Sequence, residues 1–170
     1  MTTEIDDSLK KLSSLEEEVM GIAKAMLLAG QGKQYPFDLF TTAVLDRTLS
    51  LINGYVLLVR NDNFRCAAHL IRLHLDNYLR LNAAWLVDDP QQFALDVING
   101  VQIKDIKDKD GNKMHDGYLV NSLLSEHPSL KEEYARTSGY VHLSRRHFLS
   151  SNRLVEGQRV VLPFRTKTVT

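Results

Sequence analysis

The stretch FRCAAHLIRLHLDNYLRLNAAWLV, residues 64–87, decides the fold class. At about 100° per residue, Phe64, Ala68, Ile71, Leu75 and Leu79 line up as one apolar row, and Leu70, Leu73 and Leu81 as another. The stretch therefore reads as one long helix. Between the rows runs a polar line, since Arg65, His69, Arg72, Asp76 and Arg80 fall within a sector of roughly 80°. An ordinary surface helix has one apolar face opposite one polar face. A charged line bounded on both sides by apolar residues looks instead into a groove between helices. Charges in such a place need partners, and Arg72 with Asp76 one turn later is the pair that the spacing offers. One reading is an ion network that fixes helix register. The other is a site that holds an anion through Arg65, Arg72 or Arg80.

The flanking sequence continues the helical pattern. Ile5, Leu9, Leu12, Leu15, Val19, Ile22, Ala23 and Met26 alternate steps of three and four, which predicts a helix over about 4–29 with one buried stripe. Gly30-Gln-Gly32 ends it. Pro36 opens a second helix that carries Phe37, Phe40, Val44, Leu45, Leu49, Ile52, Val56 and Val59 and breaks near Asn61-Asp-Asn63. After residues 64–87, Asp88-Asp-Pro90 stops the chain and restarts a shorter helix over about 90–99. Residues 100–117 (GVQIKDIKDKDGNKMHDG) are charged and turn-rich, with Asp110-Gly111 at the expected tip, and read as a short hairpin or an ordered loop. Asp116 is placed to cap a helix over 117–126, and Pro128 opens the last long helix, about 129–151. The tail, 154–170, reads as a strand or an extended arm. The expectation is an all-α single domain, 1–170: a bundle of four to five long helices over 1–153, with a short β-hairpin or extended C-terminal arm.

Composition sets the bounds. The chain has 170 residues, 44% of them apolar, enough for one domain with a real core. Lys and Arg number 21 and Asp and Glu also 21, so bulk electrostatic capture of nucleic acid or anionic lipid is not indicated. The only local excess of cations is late, where Lys131, Arg136, Arg145, Arg146 and Arg153 lead into Arg159, Arg165 and Lys167. The single cysteine, Cys66, has no disulfide or CxxC partner and reads as a small buried residue on a helix. The polar N-terminus is not a secretory signal, and runs such as Tyr55–Val59 are too short to span a bilayer. A cytoplasmic protein without membrane contact is the expectation.

The last long helix carries a second polar line. Tyr134, Ser138, His142 and Arg145 follow at four, four and three residues and share a face. A hydroxyl one turn from an imidazole, with a guanidinium one turn beyond, suits proton transfer beside an anion. Metal chemistry finds less support. With Gly111 at the sixth position of a calcium loop, Ile106 would be first and Gly117 twelfth, so the run Asp105, Asp108, Asp110 reads as a solvated turn. His69 and His74 face different sides of their helix, and His115-Asp116 lacks a second ligand pair, so it reads as a helix cap. No metal and no cofactor is expected. There is no phosphate-binding glycine loop, no GxSxG and no HExxH.

Two of these stretches carry a resemblance. Ala67-Ala-His-Leu-Ile-Arg72-Leu-His-Leu-Asp76 resembles the Arg-x-x-x-acid pattern of a group of bacterial all-helical proteins of uncharacterised activity. Tyr134-Ala-Arg-Thr-Ser138-Gly-Tyr-Val-His142-Leu-Ser144 resembles that group's Tyr-x-x-x-Ser-x-x-Val-His-x-Ser signature, and Ile103–Tyr118 its turn with a Gly and a following Asp. The likeness covers about residues 60–150. More distantly, Arg136 and His142, five residues apart, are similar to the Arg–His hallmark of the HEPN superfamily, helical and often dimeric proteins that include RNA-cleaving toxins and phage-defence proteins. That resemblance implies metal-independent cleavage or binding of RNA by a homodimer, with His142 assisting attack of a ribose 2′-hydroxyl, Arg136 steadying the phosphate and Ser138 beside them. Thr137 stands where the family has a strongly polar Asn, Asp or His after the Arg. The alternative is a non-catalytic interaction module whose two polar lines form one buried network.

Overall fold

The computed structural model describes residues 3–141, 152–155 and 158–161. Its elements are α1 (Thr3–Ala29), α2 (Pro36–Arg60), α3 (Phe64–Ala83), α4 (Pro90–Ile98), α5 (Asp116–Ser122) and α6 (Leu130–Val141), followed by strands β1 (Asn152–Val155) and β2 (Gln158–Val161). The class is all-α. The strands pair antiparallel as a hairpin, with Arg153 opposite Val160.

Helices α2, α3 and α4 start where the sequence supplies a side-chain acceptor for free N–H groups at the helix end. Tyr35 N–H donates to the Asp38 carboxylate at 2.9 Å ahead of α2, and Asn63 Oδ1 accepts from Cys66 N–H at 3.3 Å ahead of α3. Asp89 Oδ1 accepts from Gln91 and Gln92 N–H at 2.9 and 3.1 Å, with Pro90 in the first turn of α4. At the other end of α4, Gly100 takes a left-handed φ of 91°, which lets Val101 N–H reach back to Asp96 O at 2.9 Å.

The main core lies where α2, α3 and α4 meet α5 and the start of α6. Phe40, Leu79, Phe93, Met114, Leu119 and Leu123 are among its buried members. A smaller cluster of Leu9, Val56, Val59 and Ala67 ties α1 to α2 and α3. The most apolar 18-residue window of α2 has a mean hydropathy of 1.2, so by length and composition this helix is long and apolar enough to cross a membrane. Its Phe40, Val44, Ile52, Val56 and Val59 are buried against the rest of the protein.

Four expectations need correction. Of the α1 stripe only Leu9 is buried, while Leu15 and Ile22 are 38% and 51% exposed. The cause is that α1 packs chiefly on α2, which covers a single row of a helix. The third helix ends at Ala83 instead of Val87, because Trp85 N–H and Leu86 N–H bond back three residues and tighten the chain into turns. Cys66 is exposed, since the first turn of α3 projects beyond its neighbours on that side. The cap of α5 is His115, whose Nδ1 accepts Tyr118 N–H at 3.1 Å, and Asp116 is the first helical residue.

Residues 100–115 form an ordered loop rather than a paired hairpin, with one isolated bridge, Lys107 to Lys113. Asp108 organises it. Its carboxylate accepts from Asp110 and Asn112 N–H at 3.0 and 2.7 Å and from the Tyr118 hydroxyl, so its oxygens are taken up by the turn.

Candidate functional site

The polar line of α3 lies against α5 and α6. The group that collects it is Asp116, at the start of α5. Arg80 Nη2 donates to Asp116 Oδ1 at 2.6 Å, and Arg72 Nη2 approaches Oδ2 at 3.3 Å. The Tyr134 hydroxyl on α6 donates to the same Oδ2 at 2.8 Å. Arg72 Nη2 also donates to the Tyr134 hydroxyl at 2.9 Å, and its guanidinium lies 4.2 Å from the centre of the Tyr134 ring. One carboxylate thus joins three helices.

The expected pairing of Arg72 with Asp76 is not found. Asp76 pairs with Arg80, Oδ1 to Nη2 at 2.9 Å, and with Arg47 of α2 at 3.7 Å. Arg72 instead turns towards α5 and α6, where a carboxylate and a phenol offer it better geometry than its own helix. The result is a ladder of alternating charge, Arg47, Asp76, Arg80, Asp116, Arg72. Its α2 end is anchored by Asn77, which is buried: Nδ2 donates to Val44 O at 2.9 Å and to Thr48 Oγ1 at 2.8 Å, and Oδ1 accepts from Arg47 Nη1 at 3.4 Å.

The ladder is withdrawn from water but not sealed. The Arg72 side chain is 13% exposed and that of Asp116 34%. Nη1 of Arg72 and of Arg80 are buried without a hydrogen-bond partner among the described residues. Burial pushes the Asp116 carboxyl up, but the hydrogen bonds from Arg80 and Tyr134 and the charges of Arg80 and Arg72 outweigh it and hold its pKa below the usual carboxylate range. Burial and the bond to Asp116 push the Tyr134 hydroxyl up, against the opposing charge of Arg72. Near neutral pH, then, Asp116 is an anion and Tyr134 a neutral donor.

The remaining candidates are dispersed. Arg65 is exposed at the first turn of α3, and its carbonyl lies 2.7 Å from His69 Nδ1. Arg136 is exposed and ion-paired with Glu133 on its own helix. Ser138 donates to Tyr134 O at 2.8 Å, a bond that stays within α6. His142 and Arg145 lie outside the described residues. No group of three His, Cys, Asp or Glu side chains close enough to hold a metal ion occurs among the described residues.

No family model matches the chain, and neither a curated protein nor a solved structure matches it. The site is therefore read from its own chemistry. A general base needs a free lone pair and a pKa near the working pH. Asp116 lacks the second, because the donors around it lower its proton affinity. A carboxylate so placed orients and neutralises its neighbours.

Sequence reasoning found Arg72, Arg80, Asp76 and Tyr134 but missed Asp116, Arg47 and Asn77 as members. Asp116 sits 36 and 44 residues from its two arginine partners, and no periodicity on one helix points to it. Because Arg80 keeps Asp116 when Asp76 is removed, Asp76→Ala should cost only about 1 kcal/mol, a fall in melting temperature of roughly 2–4 °C by calorimetry.

Proposed function

We propose that the chain is a non-enzymatic helical interaction module whose Arg–Asp ladder locks α3, α5 and α6 in one register. The observation that carries this reading is the Asp116 carboxylate, shared by Arg72, Arg80 and Tyr134 and so committed to joining three helices. The exposure of Trp85 and Tyr35, at 65% and 54%, on either side of Phe37 supports a surface made for contact with another protein. The proposal keeps the cytoplasm as compartment and a homodimer as assembly.

The competing proposal is metal-independent RNA cleavage or RNA binding in a toxin or phage-defence setting, with His142, Arg136 and Ser138 as its residues. Arg136 is ion-paired with Glu133 and Ser138 donates to the Tyr134 carbonyl, both within α6, which favours the module. Mixed RNA incubated with the purified protein in EDTA separates the two. The expected result is intact RNA with both the parent and His142→Ala. Cleavage by the parent that His142→Ala loses would overturn the module.

A further inference from the structure

The neutral total charge hides a polarised chain. From Leu81 to Ile103 there is no Lys or Arg, but there are three acids, Asp88, Asp89 and Asp96. From Gln34 to Asp46 there is again no cation, and Asp38 and Asp46 are acids. The fold brings these two stretches together. Phe37 N–H donates to Gln91 Oε1 at 3.0 Å, the Phe37 ring meets Trp85 edge-on at 5.4 Å, and Phe40 meets Phe93 at 5.5 Å. Around Phe37 therefore sit the exposed Trp85 and Tyr35, with Asp38 and Asp89 at the caps of α2 and α4 and the exposed Asp88 next in the chain to Asp89. Lys33 and Lys109 border the face, the latter through its N–H bond to Leu86 O. An exposed indole among carboxylates suits a guanidinium or ammonium, which gains both the ring face and the negative field.

The opposite charge is in the same chain. Residues 142–170 hold six cations, Arg145, Arg146, Arg153, Arg159, Arg165 and Lys167, against one acid, Glu156. Where α6 delivers that segment sets the distance it has to cover. His127, just before α6, touches Tyr78 near the C-terminal end of α3, and Tyr134 touches Arg72 further back, so α6 runs antiparallel to α3. It delivers the chain to the N-terminal end of α3, about 30 Å from Trp85 along a 20-residue helix.

We propose that the acidic aromatic face around Trp85 docks the basic C-terminal segment of a second copy of this chain. Reciprocal exchange of that segment gives a closed two-fold pair in which each face is used once. This names the partner of the interaction module and rests on that reading. A failure here leaves the module with a different partner, whereas RNA cleavage removes the module itself.

The test is sedimentation of the full chain at low and high salt, about 50 and 500 mM NaCl. The expected result is the mass of two chains at low salt, with dissociation as salt rises. Asp88→Lys, Trp85→Ala and the pair Arg165→Glu, Lys167→Glu should each raise the dissociation constant by roughly tenfold or more while the helical circular dichroism at 25 °C stays that of the parent. Asp88→Lys mixed with the Arg165→Glu, Lys167→Glu chain should recover association. A monomeric parent, or a dimer that none of these variants weakens, overturns the proposal.

Discussion

Asp116→Ala is expected to destabilise the protein by about 2–3 kcal/mol, a fall in melting temperature of roughly 5–10 °C. The change deletes one small, partly exposed carboxylate, yet it strands two guanidiniums. Among the described residues, Arg72 loses its only ion pair, and Arg80 is left with Asp76. Each already has one buried nitrogen without a hydrogen-bond partner among the described residues, and of the contacts described Arg72 keeps the Tyr134 hydroxyl and ring. Breaking a fully buried pair costs more than this, but the 34% exposure of the Asp116 side chain lets water take over part of its role. Calorimetry of Asp116→Ala beside Asp76→Ala is the measurement. Equal effects would mean that Asp116 is not the junction of the ladder.

The same residue gives the protein a pH signature. The pKa of Asp116 is lower folded than unfolded, so its contribution is present above the unfolded value, about 3.9, and is lost as pH falls through the folded one. Tyr134 is shifted upward, and its contribution is lost as pH rises beyond about 10 through its folded value. Melting temperatures across the acid range should therefore drop more steeply for the parent than for Asp116→Ala, and the two curves should converge at the acid end.

Leu79→Ala is expected to cost about 3–4 kcal/mol. Leu79 has no exposed surface and sits in the same core as Phe40, Phe93, Met114 and Leu119, contributed by α2, α4, the loop and α5. Truncation leaves a cavity that four separate elements would have to move to fill. With a urea slope of about 2 kcal/mol/M, the midpoint should fall by roughly 1.5–2 M. Leu73 on the same helix is 38% exposed, and Leu73→Ala should cost less than about 1 kcal/mol. A small effect at Leu79 would mean that the core is not closed where α3 crosses α2 and α4.

Much of the fold was legible before any coordinates. Helix starts followed from Pro36, Asn63 and Pro90, and the buried face of α2 from Phe40, Val44, Ile52, Val56 and Val59, because caps and periodicity act within a few residues. The stripe of α1 was readable as a helix but not as exposed. A periodic pattern shows which side is apolar, not whether a neighbour is there to cover it. The exposure of Cys66 was missed for the same reason.

By itself, the sequence determined that this is a helical chain and that α3 carries charge between two apolar rows, since both are local consequences of side-chain spacing. Only the tertiary structure decided where those charges go. Arg72 had an acid one turn away on its own helix and turned instead to Asp116 and Tyr134, brought in from two other elements, where it gains a carboxylate, a phenol oxygen and an aromatic face at once. Which of two partners an arginine takes depends on distances and burial set by the packing of whole helices, and spacing along the chain does not contain them.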